Sequence, residues 1–466
     1  GGNLGITQRG RVELARQGTR LNTDFIDNSG GVDLSDREVN LKILLRKSIE
    51  LGEIEATNRE NHLDAFQDHA IQGVLQDNYR QSGTISLEVR NSVQHLEDVR
   101  TLLNILEENG HFQRAREHFP DDKELDDRQR AGEGLTRPEA AVLLSAVKQD
   151  LYRKSLEDSW PEETILDPFL EQYLPDQAPS ELAEGVENHP LKKNIALTEL
   201  VNYAVDSVGY SFFYQLRDQL GTDLITVLKA FRTADYFSRG ELIRDLLFEQ
   251  DGVIDPDVQY DAWTTFVDRI GHVVSWLVDT INESLVYHGF QNRMSDALRD
   301  RFETVRETLR EPQAEYYRQN IQQWEKKGFP TEFAEKIARL SYLVPALEVI
   351  LVHQNHKDRD FRELSETYFE LGQILNVDWI IRQVYEREPQ SRWDELAFRS
   401  LGVESHNIQR DVLNRIIQDQ HSLDEFIDQN ETTIRRLNEL QQKLAQENTQ
   451  KFSAYQYMLQ RIRSLL

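Results

Sequence analysis

Apolar residues recur three and four positions apart along most of this chain, the spacing of helices that bury one face. Leu96, Val99, Leu102, Leu103 and Leu106 define such a face, with Gly110 placed to stop the helix. Thr136-Arg137-Pro138-Glu139 combines a capping box with a proline in the first turn and predicts a helix over Ala140–Ser155. Pro161, Pro168, Pro175 and Pro179 interrupt the pattern. Helical spacing resumes over Leu191–Gln219 and Asp223–Tyr236. It then predicts long helices at 257–288, 291–326, 331–356, 359–375 and 405–428. Phe452, Tyr455, Leu459, Ile462 and Leu466 give the last helix a heptad-like seam.

The first 52 residues read differently. Thr7 is placed to cap a helix over Gln8–Gln17 that Gly18 ends, and Arg20–Ile26 suits a short strand. Asp27-Asn28-Ser29-Gly30-Gly31 is turn chemistry, and Ser35-Asp36-Arg37-Glu38 has the form of a second capping box leading to a helix that stops at Gly52. The predicted fold is mainly α, a large multi-helix domain behind a short α/β segment. Residues 1–52 form that segment, and residues 53–250 and 251–466 form two helical subdomains joined near Gln250–Pro256.

Charge narrows the function. With 54 Lys and Arg against 81 Asp and Glu, the net charge is −27, which disfavours binding to phosphate backbones. The chain has no cysteine, which removes disulfides, thiolate metal sites and cysteine nucleophiles. No apolar run reaches the roughly 18 residues of a membrane span, and a cytoplasmic protein without membrane or nucleic-acid partners is expected. The chain opens on Gly1 with no leader pattern and reads like a portion of a longer protein.

Few motifs carry chemistry. Gly1-Gly2-Asn3-Leu4-Gly5 lacks the three-glycine dinucleotide spacing, and Gly132-Glu133-Gly134 is explained by the helix start that follows. His353 and His356 stand one turn apart near Asp358, without the further ligands a metal needs, so no metal site is expected. The Asn28–Gly31 turn with Ser35 is the strongest cluster. Two glycines let backbone approach a ligand, and a serine at a helix start suits either a cap or an anion. Arg435, Arg436, Lys443, Lys451, Arg461 and Arg463, against Glu439 and Glu447, make the last helix locally basic, as a solvated face or a docking surface for acidic groups.

The opening Gly1–Arg11 and the stretch Leu21–Asn40, with its Asn-Ser-Gly-Gly-Val-Asp-Leu-Ser core, resemble the end of the catalytic domain of the large bacterial NAD-specific glutamate dehydrogenases. Phe119–Leu125, Leu135–Leu144, His189–Lys193 and, more loosely, Ser391–Ala397 continue the resemblance in order. It implies oxidative deamination of glutamate to 2-oxoglutarate and ammonium with NAD as hydride acceptor. It places Asn3 and Asn28 near the cofactor and gives Ser35 the distal carboxylate of the substrate. The family's glycine fingerprint, catalytic lysine and aspartate, and substrate lysines are not found in these residues. The resemblance therefore implies a C-terminal portion that is inactive alone, carries no catalytic residue, and serves structure, homo-oligomerisation or regulation. The alternative is a stand-alone acidic helical scaffold without catalysis. Sequence upstream of Gly1 separates the two.

Overall fold

The computed structural model describes residues 5–110, 112–160, 166–176, 178–281, 290–386, 392–447 and 452–466. Among these the chain is helical with no strand, so the mainly α class holds. It divides into two compact units, residues 1–218 with 222–228 and residues 219–221 with 229–466.

The first unit begins with α1 (Gln8–Arg16), α2 (Asp24–Asp27), α3 (Ser29–Leu51) and α4 (Arg59–Ser92). Thr7 caps α1 by accepting from the Gly10 amide at 3.1 Å, and Gly18 follows the helix with φ +91°. The strand expected over Arg20–Ile26 does not form. Its alternation is broken by adjacent apolar residues, with Phe25 46% exposed and Ile26 buried, and no neighbouring strand is present among the described residues to satisfy its amides. Helix α3 stops at Gly52, which takes φ +80°, and turns back along α4.

Next come α5 (Leu96–Glu108), α6 (Asp122–Ala131), α7 (Arg137–Glu157), α8 (Asp167–Tyr173), α9 (Ala178–Glu181), α10 (Ala183–Glu187), α11 (Lys192–Val208) and α12 (Ser211–Leu220). The short α8–α10 fall in the proline-interrupted region. Helices α7 and α11 pack on α4, α1 packs on α7, and α8 on α11. The five apolar residues of the predicted α5 face are all buried. Each such leucine contributes on the order of 1.5–3 kcal/mol of burial energy.

The second unit contains most of α13 (Leu224–Ser238), then α14 (Gly240–Phe248), α15 (Pro256–Thr280), α16 (Phe290–Glu307), α17 (Gln313–Lys326), α18 (Thr331–Leu340) and α19 (Leu343–Asn355). It closes with α20 (Phe361–Ile374), α21 (Val377–Glu386), α22 (Arg392–Gln418), α23 (Leu423–Gln446) and α24 (Phe452–Arg463). The long α22 is the hub, taking α15, α19, α20, α21 and α24 against its sides. The helix expected over 291–326 breaks before Pro312, which cannot donate to a helical ladder. That expected over 331–356 bends by 55° between α18 and α19. The expected run 405–428 ends at Gln418 and restarts at Ser422, which caps α23. Residues 282–288 of another expected helix lie outside the described residues. In α24, Tyr455, Leu459 and Ile462 are buried as the seam predicts, and Leu466 is exposed. Among the described residues no single helix is long and apolar enough to cross a membrane.

Candidate functional site

The α1–α4 corner is tied together by polar side chains that replace a sheet's hydrogen bonds. Buried Arg11 donates to the Asn22 carbonyl at 2.9 Å and to the Asp24 carboxylate. Asn22 Nδ2 donates to Asp27 at 3.0 Å, and its Oδ1 accepts from Arg137 Nε at 3.0 Å. Asn78 of α4 donates to the Ile26 carbonyl at 2.8 Å and to Ser29 Oγ at 2.7 Å. The α2–α3 junction is thus fixed from both sides.

Asn28 is that junction. Its carbonyl accepts from the Gly31 and Val32 amides at 3.0 and 3.2 Å, opening α3. A Cβ on Gly31 would lie 2.7 Å from Asn28 Oδ1, so the asparagine keeps its place only because that position is glycine. Gly30 has open space at the same test. Both glycines belong to the first turn of α3, not to a free loop.

This changes the setting of Ser35. The helix begins at Ser29, so Ser35 lies inside α3 and the expected capping box does not form. Glu38 points the other way, accepting from Lys42 Nζ at 2.5 Å. The unpaired amides of the helix start are near Asn28, not at Ser35. Ser35 is exposed and shares a face with Asn28, seven positions earlier and two turns away. Val32 and Val39 extend the same face and are 47% and 52% exposed. Asn3 lies outside the described residues.

The opposite side of α3 carries a buried charge cluster that sequence reading missed. Arg37 donates to Asp77 at 2.6 Å, with Asp33 at 3.5 Å and Glu199 at 3.9 Å. Its guanidinium lies over the Tyr173 ring, 4.6 Å from the centroid, and Tyr173 accepts from Asn40 Nδ2 at 2.8 Å. Burial raises the Glu199 carboxyl to about 8 and Asp33 to about 6, against the lowering influence of Arg37. Burial also raises the Tyr173 hydroxyl to about 12. A Cβ on Gly73 would come within 2.7 Å of Arg37 Nη1, so α4 must be bare where the guanidinium lies. The Asp33–Arg37 spacing is the only local signal of this cluster.

The two histidines turn to different partners: His353 Nδ1 lies 2.7 Å from Arg301 Nη1, and His356 Nε2 is 3.2 Å from Asn414 Oδ1. Among the described residues no group of three metal-ligating side chains gathers.

The corner thus has an asparagine at a glycine-supported helix start and a serine two turns along the same face. The model of the family described as "Glutamate dehydrogenase, C-terminal" matches residues 132–464, and that described as "Bacterial NAD-glutamate dehydrogenase, catalytic domain" matches residues 1–88. The chain belongs to the glutamate dehydrogenase C-terminal family, preceded by residues matching the bacterial NAD-enzyme's catalytic domain. It is similar to the NAD-specific glutamate dehydrogenases of Halomonas elongata, 31% identical over 406 residues, and Pseudomonas aeruginosa, 31% over 411. It is 28% identical over 398 residues to that of Mycobacterium tuberculosis. Each match covers 85% of this chain and 24% of the relative, so the chain spans about a quarter of those proteins' length. The catalytic-domain match takes in α3 and most of α4.

Proposed function

We propose that this chain is the C-terminal portion of an NAD-dependent glutamate dehydrogenase, which converts L-glutamate, NAD and water to 2-oxoglutarate, ammonium and NADH. The observation that carries the reading is the face of α3 on which Asn28 and Ser35 stand together, inside the segment matched by the catalytic-domain model. Asn28 serves as a polar contact for the cofactor, as does Asn3, and Gly31 supplies the space Asn28 needs. Ser35 donates its hydroxyl to the distal carboxylate of glutamate, and this role now rests on an exposed hydroxyl rather than on helix-end amides. NAD, when bound, supplies the hydride acceptor. The proton-transfer groups and the dinucleotide fold belong to parts of the enzyme outside these residues, so this portion alone is inactive. Its helical units hold the assembly, a cytoplasmic homo-oligomer, and carry regulation.

Ser35→Ala in the complete enzyme tests the reading. A lost hydrogen bond to a charged group costs about 1.5–3 kcal/mol, roughly ten- to a hundredfold in kcat/KM for glutamate. The expected change is a raised KM for glutamate with an unaltered melting temperature. Unchanged glutamate kinetics remove Ser35 from the site.

A further inference from the structure

Asn28 ends α2 and starts α3, and its backbone belongs to neither: φ −111° and ψ 36° lie outside the helical range. Its amide donates to the Asp24 carbonyl at 2.9 Å, which closes α2, and its carbonyl opens α3. A residue shared by two helix ends is outside both hydrogen-bonded ladders, so the direction of its side chain depends on what fixes the residues on either side.

One side chain of α4 fixes both sides. Asn78 Nδ2 donates one hydrogen to the Ile26 carbonyl at 2.8 Å, two residues before the joint. It donates the other to Ser29 Oγ at 2.7 Å, one residue after it. The Ser29 hydroxyl donates onward to the same Ile26 carbonyl at 3.0 Å. The three bonds close a triangle across Asn28, and both amide hydrogens of Asn78 are used in it. The anchors are firm. Ile26 is 4% exposed, and Asp77, next to Asn78, accepts from Arg37 of α3 at 2.6 Å. Two consecutive residues of α4 therefore hold α3 at two places, Asn78 at its start and Asp77 two turns further along.

The geometry points to Asn78 as a positioning residue for cofactor binding: it holds the α2–α3 joint so that the Asn28 side chain meets NAD, and itself touches neither NAD nor glutamate. The inference rests on the reading of Asn28 as a cofactor contact, and Asn78 lies inside the stretch matched by the catalytic-domain model. Its reach is confined to the start of α3. Ser35 stands beside the Arg37 cluster, which keeps its own bonds when the triangle is lost. NAD binding should therefore respond to Asn78, and glutamate binding should not.

Calorimetric titration of NAD, steady-state kinetics and thermal melting on the complete enzyme test this. Asn78→Ala is expected to raise the Kd of NAD about tenfold, and the KM for NAD with it, while the KM for glutamate changes by less than about twofold. Asn78→Gln keeps both donors on a longer arm and is expected to recover part of the loss. In an Asn28→Ala background, adding Asn78→Ala is expected to weaken NAD by less than about a further twofold, because the contact it positions is already gone. A purely structural role gives a different pattern: the two substitutions add, and NAD and glutamate binding weaken together as the melting temperature falls. That pattern overturns the proposal, as does an unchanged Kd for NAD in a folded Asn78→Ala. Should Asn78→Ala fail to fold, the isosteric Asn78→Asp, which lacks both donors, is read in the same way. If Asn28→Ala alone leaves NAD binding unchanged, the cofactor reading of Asn28 falls and this inference with it. If Asn28→Ala weakens NAD and the Asn78 variants do not, that reading stands and the inference alone falls.

Discussion

Two stretches of the first unit carry the same local signal and do opposite things with it. Thr136-x-x-Glu139 forms its capping box: Glu139 Oε2 accepts from the Thr136 amide at 2.7 Å and hydroxyl at 2.8 Å. The same carboxylate takes two bonds from Arg128 at 2.8 and 2.9 Å, so a fully buried acid is saturated by one cation and one cap. Ser35-x-x-Glu38 forms no box, because α3 has already begun at Ser29. Its interior arginine, Arg37, is buried among three carboxyl groups, where Arg128 has Glu139 and the partly exposed Glu124. The difference lies in what precedes each signal. Gly134 lies tight against Ser92 and Pro138 sits in the first turn of α7, which fixes the start at Thr136. Upstream of Ser35, Asn28 is a competent helix start, and two glycines with no blocking proline let the helix form early.

The comparison is broken most strongly at Glu139. Glu139→Ala leaves buried Arg128 with only the partly exposed Glu124 as an ion-pair partner and removes the cap, at an expected cost of about 3–5 kcal/mol in chemical denaturation. Arg37→Met is expected to cost less, about 2 kcal/mol at pH 8, since Asp33 and Asp77 keep some solvent. It should cost less again at pH 5, where Asp33 and Glu199 hold protons. A destabilisation as large as that of Glu139→Ala and independent of pH would show the two clusters to be equivalent.

The pH dependence has a definite sign. Glu199 binds its proton more tightly folded than unfolded, at about 8 against 4.5. Its contribution is therefore complete below about pH 4.5 and is lost as pH rises towards 8. Glu199→Gln is expected to flatten the fall in stability over that window, read from denaturation midpoints at several pH values. An unaltered slope would place the titration elsewhere. The smallest effects separate the two hydroxyls. Thr136→Ala is expected to cost about 1 kcal/mol as a lost cap. Ser35→Ala is expected to stay within about 0.5 kcal/mol.

Most of the fold was legible because helix periodicity is local. The α5 face, the Thr136 start and the Gly52 stop need only neighbours within a turn or two to declare themselves. The strand reading of Arg20–Ile26 failed because a strand requires a partner, and Arg11, Asn22 and Asn78 supply the hydrogen bonds instead. The Asn28–Gly31 stretch was read as a turn, and neither the contact of Asn28 with Gly31 nor the position of Ser35 within α3 was readable. Arg37 with Asp77 and Glu199 was invisible, since those partners come from α4 and α11 and no spacing rule links them.

Arg37 also has a mechanical meaning. Ser35 and Arg37 sit on opposite sides of one stiff rod, so the buried guanidinium sets the angle at which the serine faces outward. A side-chain oxygen stands about 4 Å from the helix axis, and a roll of roughly 10° would swing it by some 0.7 Å or so. Displacements of that order are enough to spoil a substrate contact. The three carboxylates gripping Arg37 thus act as a keel. A change in that cluster would reach the proposed glutamate contact as a rotation, without any residue of the contact being altered.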